Sequence, residues 1–92
     1  MKIVLNKCYG GYSLSPQAYK YLGKEWDDYG FDFENDRTNT KLIECVEKLK
    51  DEASGLCANL KVITIPDDNY YKIDEYDGYE TIYYSASEIN IK

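Results

Sequence analysis

Apolar positions along the chain fall in short runs whose spacing changes from one segment to the next. Ile3, Val4 and Leu5 form a β-branched-rich run closed by Asn6 and Lys7, which predicts a first strand over 2–6. The glycine-bearing stretch Cys8-Tyr9-Gly10-Gly11-Tyr12-Ser13 reads as a loop. A helix should follow, with Ser15 as N-cap, Pro16 at the first helical position, Leu14 stapled on Tyr19 and Gly23 as the stop. Next, Tyr29, Phe31 and Phe33 alternate with Gly30, Asp32 and Glu34, a pattern that fits a short strand with one apolar face. Gly30 and the nearby Asp and Asn residues fit an ordered loop equally. Leu42, Cys45, Val46, Leu49 and Ala53 recur at three- and four-residue spacing, predicting a second helix capped by Asn39 and ended by Gly55. Glu44 stands four positions before Lys48 on its charged side, the favourable order for an ion pair.

Leu60 to Ile65 reads as another strand, closed by Pro66 and Asp67-Asp68-Asn69. Asp77-Gly78 then signals a two-residue type I′ turn, which sets the register of a hairpin. With Tyr76 opposite Tyr79, Ile73 faces Ile82 and Tyr71 faces Tyr84, making one face the expected core face. Tyr70, Tyr76, Tyr79 and Tyr83 share the other face with Lys72, Asp74 and Thr81. Glu75 falls opposite Glu80, an unfavourable pair that an exposed hairpin end tolerates. The tail from Ser85 either adds a short edge strand or frays. The element order is β-α-(β)-α-β-β-β, which predicts an α+β fold: a mostly antiparallel sheet, joined by the first strand, with two helices on one face.

A length of 92 residues permits one small domain over 1–92. Its hydrophobic content of 43% supports a folded globule, while the net charge of -6 disfavours a phosphate-binding nucleic-acid face. The absence of histidine removes the commonest general base and the Ser-His and Cys-His nucleophile pairs, so an enzyme is not expected. Cys8, Cys45 and Cys57 have no metal-ligand spacing and are an odd number, which favours a reducing, cytoplasmic setting. No secretory leader is expected, and no apolar run approaches the roughly 18 residues of a membrane span.

The loop before Ser15 offers the most suggestive chemistry. Backbone N–H groups of Gly10 and Gly11, with the Ser13 hydroxyl, can cradle an anion, although a tight turn from strand to capped helix is the everyday use of such glycines. The spacing matches neither the P-loop nor the dinucleotide fingerprint. Arg37, the only arginine, can clamp a phosphate, or pair with Glu34, Asp36 or another nearby carboxylate. Asp27, Asp28, Asp32, Glu34 and Asp36 form an acidic run without calcium-loop spacing. Cys8 lacks a histidine base, and Cys45 belongs to a helix core face. Eleven tyrosines exceed what a core of this size needs, and the group on the outer hairpin face should be covered by a ligand, a partner or another part of the chain.

The segments MKIVLNKCYGGYSLS, DRTNTKLIECVEKL, KVITIPDD and IDEYDGYETI together resemble an uncharacterised family of small phage and prophage proteins that open with a strand and a CYGGF-type loop. The likeness runs to about Ile82, with Tyr12 in place of the usual Phe and Thr40 in place of Pro. It implies a phage-associated context, hence the host cytoplasm, and carries no catalytic residues or cofactor. The expected function is a non-enzymatic accessory protein that counters host defence by holding a phosphorylated or nucleotide-like ligand. In that reading Gly10, Gly11 and Ser13 bind oxygens, Arg37 neutralises charge and Tyr9 or Tyr12 packs on a ring, with Tyr70, Tyr76, Tyr79 and Tyr83 as an interface, including one between copies of the chain. The alternative is an acidic inhibitor that occupies a basic site on a host nuclease or other defence effector, in the manner of an anti-CRISPR protein.

Overall fold

The computed structural model describes residues 1–87 and has strands β1 (Lys2–Asn6), β2 (Leu60–Thr64), β3 (Tyr70–Tyr76) and β4 (Tyr79–Ser85), with helices α1 (Pro16–Tyr21) and α2 (Thr40–Leu49). The class is α+β, and every strand pair is antiparallel. Instead of one sheet there are two: β1 pairs with β2, and β3 pairs with β4. The first strand therefore joins β2 and not the hairpin. Residues 88–92, the end of the tail, lie outside the described residues.

Both helix starts follow their sequence signals. Ser15 Oγ accepts the N–H of Ala18 and donates to the Glu52 carbonyl, so one hydroxyl caps α1 and ties it to the end of the second helical segment. Asn39 Oδ1 accepts the N–H groups of Lys41 and Leu42. α2 does not run to Gly55: Lys50, at φ 54°, breaks it and a 3₁₀ turn over Lys50–Ala53 continues the path. Glu44 accepts from the Tyr21 hydroxyl at 2.5 Å, joining α2 to the end of α1.

The core lies between the β1–β2 sheet and α2, where Val4 and Leu60 meet Leu42, Cys45, Val46 and Ala53. α1 packs on α2 and the 3₁₀ turn, adding Ala18 and Tyr19. The parenthesised strand over 29–33 does not form, and the loop alternative holds. Asp28, Gly30 and Phe33 all have positive φ, which breaks the pleat that alternation requires.

Burial also shapes the response to alkali. The Cys45 thiol, inside this core, is pushed up from 9.0 to about 11 by desolvation. Burial raises the Tyr19 hydroxyl from 10.0 to about 12, and that of Tyr12 further still. Above pH 9 the unfolded chain loses protons that the folded chain keeps, so stability should fall continuously as pH rises from 9 towards 11. Denaturant midpoints at pH 7, 9 and 10.5 check this; an unchanged midpoint at the highest pH contradicts it.

Candidate functional site

The glycine loop and the hairpin turn are built against each other. Asp77 and Gly78 both have positive φ, as a type I′ turn requires. Gly78 lies so close to the loop that an added Cβ would stand 2.2 Å from the Gly11 nitrogen. The Gly10 N–H donates to the Asp77 carbonyl at 3.2 Å, and a Cβ on Gly10 would stand 2.7 Å from that of Cys57. Asn6, fully buried at the end of β1, completes the junction: its Nδ2 donates to the carbonyls of Cys8 and Gly78, while Oδ1 accepts from the Asn59 N–H. Lys7 Nζ donates to the Glu80 carbonyl at 2.6 Å, and the Tyr9 and Tyr79 rings meet at 5.4 Å.

Arg37 locks this junction. Its Nη1 and Nη2 form a fork on the two carboxylate oxygens of Glu80, at 2.5 and 2.7 Å. Nη1 also reaches the Val4 carbonyl and Nε the Glu34 carbonyl, so four of the five guanidinium donors are engaged. The guanidinium lies 4.1 Å over the Tyr12 ring. Arg37 is 8% exposed and Glu80 6%. This corrects two sequence expectations: the partner is Glu80, 43 residues away, and not an adjacent carboxylate; and Glu80 is buried, not at a free hairpin end. The register still opposes Glu75 to Glu80, with one charge neutralised by Arg37.

Of the six ligand-binding candidates, Gly11, Tyr12 and Arg37 line one cleft of about 540 Å³ between the acidic segment and the hairpin. Tyr9, Gly10 and Ser13 lie outside it. Glu34, Glu75 and Glu80 line the same cleft, and Arg37 balances only one of them. The resulting negative excess repels an anion. The acidic segment does not converge on a metal either: among the described residues no three His, Cys, Asp or Glu side chains are grouped to hold an ion. Asp27 instead accepts the N–H groups of Gly30 and Tyr29, which hold its carboxyl below the usual range.

The hairpin has the predicted register throughout, yet neither face is core. Tyr71 and Tyr84, on the expected core face, are 41% and 49% exposed, while Ile73 and Ile82 are half-buried. That face does turn towards the body, where Tyr71, Ile73 and Glu75 line the cleft, but nothing among the described residues fills it. On the other face Tyr70, Tyr76 and Tyr83 are exposed and Tyr79 is sheltered by Tyr9 and Lys7. Among the named elements only β1 packs on the hairpin, through β4.

Sequence reasoning missed Glu80 and Asn6. A signal existed for each: a polar side chain ending an apolar strand, and an acidic pair that the register itself makes unfavourable. Among the described residues no helix is long and apolar enough to cross a membrane. No protein-family model, curated protein or solved structure matches this chain.

Proposed function

We propose that this chain is a non-enzymatic protein-binding module whose β3–β4 hairpin is the contact arm for a basic protein surface. The observation that carries this reading is the hairpin's exposure: five tyrosines, Tyr70, Tyr71, Tyr76, Tyr83 and Tyr84, stand in water on its two faces. An isolated two-stranded hairpin is marginal in water. Here its turn end is anchored through Gly78 and Glu80, so the tyrosines are presented without the ordering cost that a free loop would incur. Tyrosine is favoured at interfaces because one rigid ring provides large area and a polar tip. Asp74, Glu75 and Asp77 near the turn, with a chain charge of -6, complement a basic partner. The phage resemblance directs this reading to a host defence effector with a basic site. The nucleotide-ligand reading has less support, because the Arg37 donors are engaged and the cleft is acidic.

The test compares the wild-type chain with the triple variant Tyr70→Ser, Tyr76→Ser, Tyr83→Ser, both shown folded by circular dichroism, as baits in host lysate. The expected result is one protein retained by the wild type at low salt, released at high salt, and bound about tenfold or more weakly by the variant. Retention undiminished in the variant, or saturable calorimetric binding of a cyclic or ADP-ribose-type nucleotide without any protein partner, overturns it.

A further inference from the structure

The loop from Trp26 to Phe31 places three large aromatic side chains in water: Trp26 is 40% exposed, Tyr29 68% and Phe31 53%. Its backbone holds them there. Asp27 Oδ1 accepts the N–H groups of Tyr29 and Gly30, both at 2.9 Å, and the Gly30 carbonyl accepts the Leu14 N–H at 2.7 Å. Gly30 is buried at φ 85°, and a Cβ there would stand 2.2 Å from the Leu14 carbonyl oxygen, so the loop sits as close to the body as a backbone can. The Tyr19 hydroxyl accepts the Asp32 N–H and donates to Asp27, while the Tyr19 ring meets Trp26 edge-on at 5.2 Å. Tyr29 and Phe31 stack at 6.1 Å.

Facing this loop, across a groove of about 420 Å³, is the 55–57 segment, where Leu56 is fully exposed. Among the described residues Asp28 is the one charged side chain lining the groove, and its carboxylate makes no ion pair or hydrogen bond with any of them. Fixed aromatic walls beside one unpaired carboxylate are complementary to a cation carried on an apolar stem. Ring faces attract the positive charge, the carboxylate neutralises it, and the apolar wall takes the methylenes.

We propose that this groove receives an arginine side chain from a partner protein, with Trp26, Tyr29 and Phe31 as its walls and Asp28 as its counter-charge. Arginine is chosen over lysine because its planar, weakly hydrated guanidinium stacks on rings. The groove adjoins the hairpin cleft, and Tyr12 lines both, but no residue of the hairpin lines the groove and Trp26, Asp28, Tyr29 and Phe31 do not line the cleft, so variants on the two surfaces are read independently.

Trp26 is the only tryptophan, which makes intrinsic emission a local reporter. The probe is a short diarginine peptide, with a dicitrulline peptide of the same shape and no charge as its control. The expected result is a saturable change in Trp26 emission with diarginine and binding about tenfold weaker with dicitrulline. Asp28→Asn and Phe31→Ser should each weaken diarginine binding about tenfold, while Tyr76→Ser leaves it unchanged. Asn tolerates the φ of 71° at position 28, so the first variant keeps the backbone while removing the charge. No saturable response, an equal response to dicitrulline, or undiminished binding by Asp28→Asn overturns the proposal. Loss of binding in Tyr76→Ser also overturns it, by assigning the response to the hairpin.

Discussion

Glu80→Ala should lower the stability of the fold by about 3–5 kcal/mol, because it strands the Arg37 guanidinium in a site that is nearly closed to water. For a domain of this size that corresponds to a fall in melting temperature of roughly 12 °C or more. The Asn6 N–H also loses its acceptor, since Glu80 Oε1 takes that bond at 2.7 Å as well as the bond from Arg37. Arg37→Ala should cost a similar amount for the mirrored reason, a carboxylate left buried without its counter-charge. The double variant should cost clearly less than the sum, as residues in one ion pair do not act independently. Arg37→Lys should restore only part of the loss: an ammonium cannot fork onto both oxygens of Glu80, and it loses the planar contact over Tyr12. Chemical denaturation of the four variants measures all of this. A cost below about 1 kcal/mol for Glu80→Ala would mean a solvent-screened pair and would dismantle the junction on which the presented hairpin depends.

What was legible in the sequence follows the range of the interactions involved. Ser15 and Asn39 accept N–H groups two or three residues away, Pro16 fixes its own φ at the first helical position, and the Asp77-Gly78 turn fixes its own strands, so caps and hairpin register could be read directly. Facing is not burial, however. The register places Tyr71, Ile73, Ile82 and Tyr84 on the face that turns inwards, but the nearest layer is across an open cleft, and no periodicity encodes that distance. The division into two sheets was equally hidden, because a strand's pattern does not name its neighbour. Arg37 shows the same limit for the candidate site. Five acids lie within ten residues before it, but the loops fold so that Glu80 is the one within reach of its fork. The segment 26–33 misleads because its alternation is real, while Asp27 side-chain bonds and positive φ at Asp28, Gly30 and Phe33 divert the chain from the pleat.

Gly78→Ala and Gly11→Ala separate the structural use of the glycine loop from any other use. Both positions have positive φ, 92° and 95°, so each pays a backbone penalty of about 1 kcal/mol or more on gaining a Cβ. Of the two, Gly78 has a neighbour in the way: its Cβ would meet the nitrogens of Gly11 and Gly10 at 2.2 and 2.7 Å, whereas none of the described residues lies within 4 Å of one on Gly11. Gly78→Ala must therefore push the turn off the loop, and a total cost of about 3 kcal/mol is expected. The displaced turn carries Glu80, two residues on, away from Arg37, so the Asn6 amide should lose its protection from hydrogen exchange in Gly78→Ala and keep it in Gly11→Ala. For the same reason Gly78→Ala should cost less when Glu80→Ala is already present. Equal costs at the two glycines would show that backbone strain alone is at work and that the loop does not bear on the turn. Unequal costs in the expected order place the hairpin's orientation under the control of the loop, because the contact that excludes a side chain at Gly78 is the one that sets where the exposed tyrosines stand.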